Sequence, residues 1–285
     1  MISLIGLIFL LIQLPRWMYT CLIGVFAFFT TRLLGLRSKV IMTNLAICFP
    51  GLTLKARQQL KNAFIKSTIH TLFDTVYCYC HLFSHKMPVT VEGLETMKSI
   101  LQQHRPVILL TAHFNTTFIA GKFIHDNLQQ KIANVFREQS HPLINYLYER
   151  KQRQYFLSIR KNNIRKMIQA LQEHYPVIYL FDLNDSQGKT FIPFFNTPAA
   201  TKTSLCKIAK ITDAVVVPYV CLKKSDGHYH LQFMKPLENF PSDNATADLT
   251  RVSLLFEDII KQYPEQYLWT HRRFKTRPEG EGKIY

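Results

Sequence analysis

Three polar residues follow directly on short apolar runs. His113 comes after Pro106-Val-Ile-Leu-Leu-Thr111, Arg137 after Ile132-Ala-Asn-Val-Phe136, and Asp182 after Val177-Ile-Tyr-Leu-Phe181. An imidazole can take a proton near neutral pH. A guanidinium offers a planar fork of donors for a phosphate or for developing negative charge. A carboxylate can orient either group, bind a sugar hydroxyl or cap a turn. Each residue alone reads equally well as loop, and Arg137 has a neighbour, Glu138, for a plain ion pair. Taken together, the set suits removal of a proton beside an anion.

These residues need a scaffold that gathers them. The runs 107–111, 132–136, 177–181, 214–218 and 230–233 read as strands. Helices are expected over 54–83, 115–130, 142–157, 161–173, 201–211 and 248–262. In the first, Leu60, Phe64, Ile65, Thr68, Leu72 and Val76 form the apolar face. Strands interleaved with helices predict an α/β domain whose mostly parallel sheet is flanked by helices. Ligands of such sheets lie outside the carboxyl ends of the strands, where His113, Arg137 and Asp182 fall.

Residues 1–36 predict a membrane anchor. Met1 to Gly35 carry Arg16 and Arg32 as their only charges, and the apolar stretch is longer than the ~20 residues a helical span needs. Pro15-Arg16-Trp17 breaks it into one kinked span or a span plus an interfacial helix. Met1-Ile2-Ser3 is uncharged and no small-residue cleavage site follows, which argues against a cleaved signal. No Asp or Glu precedes Asp74, while Arg32, Arg37, Lys39, Lys55, Arg57, Lys61 and Lys66 do. The positive-inside rule then places residues 37–285, one α/β domain, in the cytoplasm.

The chain holds 35 Lys+Arg against 19 Asp+Glu, a net charge of +16 that calls for an anionic partner. With 47% hydrophobic residues it is no disordered chain. Six cysteines make no disulfide scaffold. Cys78-Tyr-Cys80-His81 with His85 has zinc-binding residue types at a spacing structural zinc sites do not use. Thr203 and Ser204 lie in no G-x-S-x-G elbow, so no acyl-serine is indicated. The basic run from His271 to Arg277 lacks a nucleic-acid fold motif and fits anionic headgroups instead.

Several segments resemble the late acyltransferases of bacterial lipid A biosynthesis. Tyr267-Leu-Trp-Thr-His-Arg-Arg-Phe-Lys-Thr-Arg-Pro278 is similar to their C-terminal signature. Asn44-Leu-Ala-Ile-Cys-Phe-Pro50, Phe191-Ile-Pro-Phe-Phe195 with Ala199-Ala-Thr201, and Phe136-Arg137 with His141-Pro-Leu143 resemble further blocks. Ala112-His-Phe114 stands where the family has its H-x4-D/E motif. The likeness covers nearly the whole chain. It implies an inner-membrane enzyme that moves an acyl chain from acyl carrier protein to a hydroxyl of an anionic lipid A precursor, with neither metal nor organic cofactor. His113 would be the base, with Arg137 and Asp182 in support. Asn115, Arg272, Arg273 and Lys275 would contact substrate. Phe191, Phe194 and Phe195 would line an acyl groove or pack the core.

The motif departs from the family at one place. Five residues after His113, where the family has a carboxylate, stands Phe118. In a Ser-His-Asp triad, neutralising the orienting carboxylate lowers turnover about 10⁴-fold, or roughly 5.5 kcal/mol. Three outcomes are open: a distant carboxylate (Asp182, Asp185 or Glu138) reaches the imidazole, a backbone carbonyl holds it, or acyl transfer is lost and lipid or partner binding remains. A change of acceptor to another anionic lipid is a further alternative.

Overall fold

The computed structural model describes residues 37–80, 87–136, 154–160, 163–185 and 190–285. The expected anchor at 1–36 lies outside them, as do Arg137, Glu138, His81 and His85. Among the described residues no helix is long and apolar enough to cross a membrane.

Helices α1 (Ser38–Cys48) and α2 (Leu54–Cys80) come first, then β1 (Val89–Glu92), α3 (Leu94–Gln102), β2 (Val107–Thr111), α4 (Thr117–Leu128), β3 (Ile132–Phe136) and β4 (Phe156–Arg160). Next are α5 (Ile164–Gln172), β5 (Val177–Leu180), β6 (Phe191–Phe194), β7 (Thr197–Ala200) and α6 (Ser204–Thr212). Last are β8 (Val215–Lys223), β9 (Tyr229–Phe233), α7 (Ala245–Gln262) and a 3₁₀ turn, Pro264–Gln266. Seven strands form one sheet in the order β1-β9-β8-β2-β5-β3-β4. Every neighbouring pair is parallel except β8 with β9. β2 is central and buried at all its positions, which is why its sequence is a continuous apolar run and not an alternation.

The α/β reading holds, with corrections. The expected helix up to residue 157 gives way at its end to edge strand β4, where Phe156 and Ile159 are buried and Leu157 is exposed. A strand this short carries too little alternation to be told from helix. Strands β6 and β7 form a hairpin with Pro193 opposite Pro198, and prolines argue against strand in sequence. Its two-residue loop, Phe195-Asn196, has φ of 48° and 59°, the twist that tight hairpins need. Phe195 holds this unfavourable φ because its ring is buried against Phe49 and Phe194, with centroids 5.3 and 5.1 Å away. Phe194 and Phe195 therefore serve the core.

On α2 the buried stripe runs through Phe64, Ile65, Ile69, Asp74 and Tyr77, whereas Leu72 is 60% exposed. Phe64 and Ile65 keep their expected burial, Leu72 does not, and Ile69, Asp74 and Tyr77 add buried positions on other sides of the helix. Asp74 was hidden from the apolar period because its burial is compensated by Lys223 and the Tyr229 hydroxyl. Helix α4 comes very close to the sheet at Gly121, where a Cβ would lie 2.9 Å from the Phe156 ring.

The C-terminal segment belongs to the core. Tyr267, Trp269 and Phe274 are buried and join Phe49, Phe194 and Phe195 in one aromatic cluster. Asn44 on α1 donates to the carbonyls of Trp269 and His271, 2.8 Å each. The signature run 267–277 is thus a strap across the carboxyl end of the sheet.

Candidate active site

Strands β2 and β5 are parallel neighbours with Thr111 opposite Leu180. Phe181 extends the pairing, its N–H donating to Thr111 O over 3.3 Å. One residue further, the register sets Asp182 beside His113. His113 N–H donates to both oxygens of Asp182 at 3.1 Å, and His113 Nδ1 lies 2.6 Å from Asp182 Oδ1. Tyr267 Oη donates to Asp182 Oδ2 over 2.7 Å. The carboxylate is fully buried while the imidazole keeps 22% of its side-chain surface.

Burial alone would push the Asp182 carboxyl up. The adjacent imidazole, the His113 N–H and the Tyr267 hydroxyl outweigh it and hold Asp182 well below the ordinary carboxylate range. Asp182 is therefore an ionised acceptor, so Nδ1 of His113 carries the proton. Nε2, which has no partner among the described residues, keeps its lone pair in the neutral ring. The Tyr267 phenol is raised well above its usual value, first by burial and then by the Asp182 charge; it donates and does not ionise.

The loop carrying His113 is held on several sides. His113 O accepts from Leu268 N at 2.9 Å and Asn115 N donates to Gln266 O at 2.8 Å, so the loop pairs with the strap like two short antiparallel strands. The Gln266 side chain bonds both backbone groups of Lys223, at 2.9 and 2.8 Å. Thr116 Oγ1 donates to Cys221 O over 2.6 Å. A buried carboxylate, a central strand and a packed strap thus fix the imidazole, as a preorganised base requires.

The structure sorts the sequence-predicted residues. His113 and Asp182 meet. Arg137 follows the last residue of β3 and lies outside the described residues. Asp185 is buried, and no hydrogen bond links it to the imidazole. Phe118 is 58% exposed on the first turn of α4, so the motif position supplies no acid. Asn115 spends its side-chain N–H₂ on Ser67 Oγ at 2.9 Å. Arg272 and Lys275 are exposed.

Arg273, one of the expected substrate contacts, is turned into the fold. It is 2% exposed, and its guanidinium donates to Ala200 O at 2.7 Å and Thr201 Oγ1 at 2.6 Å, over the Phe194 ring. A dense basic run reads as surface, but this side chain is turned inward as a brace for the β6–β7 hairpin. Cys78, one of the zinc-like residues, has a thiol pushed up to about 12 by burial, and the described residues contain no cluster able to hold a metal.

The sequence gives no individual role to Tyr267 or Asn184, and counts His271 only as the first residue of the basic run. Asn184 N–H donates to His271 Nε2 at 2.9 Å, and the Asn184 side chain exchanges two hydrogen bonds with Thr276, at 3.0 and 2.9 Å. These contacts stitch the loop after Asp182 to the strap. The only signal in the sequence was that Tyr267 and His271 sit inside the signature run.

An imidazole with a buried carboxylate on Nδ1 and an open Nε2 can remove a proton from a hydroxyl. The profile of the bacterial lipid A biosynthesis acyltransferases matches residues 2–276. The chain is 30% identical to the lipid A biosynthesis lauroyltransferase of Escherichia coli K12 across 99% of its own length and 93% of that protein. It is 28% identical to the palmitoleoyltransferase of the same strain, over 99% and 92%. With the K12 myristoyltransferase it shares 25% over 86% and 77%.

Proposed function

Because the chain belongs to the bacterial lipid A biosynthesis acyltransferase family, we propose that it transfers a fatty acyl group from acyl carrier protein to a hydroxyl of a lipid A precursor at the inner membrane. The observation that carries this reading is the 2.6 Å contact between His113 Nδ1 and Asp182 Oδ1. It supplies the orienting carboxylate that Phe118 does not.

In this reading the acceptor O–H points at His113 Nε2. The imidazole takes the proton as the oxygen attacks the thioester carbonyl. The carbon–sulfur bond then breaks, and the departing carrier thiolate recovers the proton from the imidazolium. Asp182 stays ionised throughout and stabilises the charged ring. Arg137, next to β3, is assigned to the negative charge of the intermediate or a phosphate. Arg272 and Lys275, both exposed on the strap, are assigned to the phosphorylated acceptor, and Asn115 to holding the loop beside it. An acidic carrier and an anionic lipid both suit a chain of net charge +16. Residues 1–36 are assigned to the membrane.

The test is acyl transfer by the full chain in membranes, from lauroyl-acyl carrier protein to a phosphorylated glucosamine disaccharide lipid. H113A is expected to abolish product. Unchanged product in H113A would remove His113 as the base.

A further inference from the structure

His271 is a second imidazole at this end of the sheet, and the base chemistry leaves it unused. Its Nε2 accepts the N–H of Asn184 over 2.9 Å. A ring nitrogen that accepts has no proton, so in the neutral ring the proton is on Nδ1. That Nδ1–H has no hydrogen-bond partner among the described residues, and it is not among their sealed, unpartnered atoms. The half-buried ring therefore has one donor that the described residues do not use.

Its position is fixed twice. Asn184 lies two residues beyond Asp182, and His271 lies four beyond Tyr267, whose hydroxyl is bonded to Asp182. The backbone of His271 is held as well: its carbonyl accepts from Asn44 at 2.8 Å and from Arg273 N at 2.9 Å. The ring also stays neutral. Burial lowers its pKa to about 4, Asp182 pulls it up, and His113, Arg273 and Arg37 push it down. Its place beside the strand end comes from the Asn184 hydrogen bond, two residues beyond Asp182, and from the strap that carries Tyr267 onto Asp182. A neutral N–H donor held on the strap that buries Asp182 is what a substrate oxygen bearing negative charge needs.

We propose that His271 is a substrate-contacting donor of this site, its Nδ1–H bonding an anionic oxygen of the bound substrates. This inference rests on the acyl-transfer reading above. Two oxygens share the chemistry: the thioester carbonyl as it becomes an oxyanion, and a standing phosphate of the acceptor.

Two substitutions separate the two ring nitrogens. An asparagine amide stands as many bonds from Cα as Nδ1 does, and a glutamine amide as many as Nε2. H271N keeps a donor at the Nδ1 place and loses the acceptor for Asn184. H271Q keeps the acceptor and loses the donor. The full chain is assayed with lauroyl-acyl carrier protein and the phosphorylated disaccharide lipid, and each variant is melted. Activity is expected to fall about 100-fold in H271Q and much less in H271N. Melting is expected to order the other way, with H271Q near the parent and H271N lower.

A loss in kcat assigns the donor to the carbonyl oxyanion; a rise in the KM for the lipid assigns it to the phosphate. Equal losses in the two variants, or an H271Q as active as the parent, would overturn the proposal and leave His271 a structural acceptor. H113A in the same assay keeps the two claims apart. An active H113A refutes the base, whereas an inactive H113A without the asparagine–glutamine difference refutes only His271.

Discussion

Tyr267 Oη meets Asp182 on Oδ2, the carboxylate oxygen the imidazole does not use, at 2.7 Å. The two side chains come from positions 85 residues apart, one at a strand end and one on the strap. Strap and sheet therefore share one carboxylate, and the orientation of His113 depends on both. In Y267F, Asp182 loses a charge-assisted hydrogen bond worth roughly 1.5–3 kcal/mol. The variant is expected to melt several degrees lower and to turn over more slowly at unchanged KM. Thermal melts together with steady-state rates check this.

Phe118 occupies the motif's acidic position, yet the imidazole already has its carboxylate. F118E is therefore expected to leave the rate within about threefold and, being an exposed change, to shift stability by less than about 0.5 kcal/mol. A large rate gain would mean that Asp182 does not serve Nδ1 during turnover.

Arg273 is buried and bonded to the end of the β6–β7 hairpin. R273A removes two hydrogen bonds from a buried guanidinium, leaving Ala200 O with Asp185 N and Thr201 Oγ1 with Ala199 O, at a cost of about 3 kcal/mol. Chemical denaturation is expected to show that loss. An R273A that is fully stable but raises the KM for the lipid would restore Arg273 to the substrate contacts.

His271 also predicts a pH effect on stability. Its pKa is lowered in the fold from 6.5 to about 4, so between these values the unfolded chain binds the extra proton. Stability contributed by the neutral ring is full above pH 6.5 and is lost as pH falls toward 4, at up to about 1.4 kcal/mol per pH unit. The groups that set the shift are burial first, then Asp182, His113, Arg273 and Arg37. H271Q, which cannot titrate, is expected to flatten this part of a melting-temperature profile. Parallel profiles for the two proteins would contradict the burial of a neutral ring.

The sequence made the central sheet legible because β2 is buried at every position and β3 and β5 begin on buried residues, so the three appear as mainly apolar runs. A strand's end is then visible, and so are the polar residues His113 and Asp182 just beyond it. Which carboxylate reaches the imidazole was not visible, because that depends on β2 and β5 being neighbours in register, a relation between distant segments. The same limit hid Tyr267 and His271. The burial of Arg273 was hidden for another reason: local charge density says nothing about which side chain of a basic run turns inward. Strands β6 and β7 were missed because Pro193 and Pro198, which locally forbid central strands, are tolerated in an isolated two-stranded hairpin.

The most direct test of the account is the acyl-transfer rate of D182N beside the parent, with lauroyl-acyl carrier protein and the phosphorylated disaccharide lipid. Asparagine preserves the shape at position 182 but removes the charge that holds the Nδ1 proton. A fall in kcat of about 10⁴-fold is the predicted result. A D182N that turns over at the parental rate would contradict it.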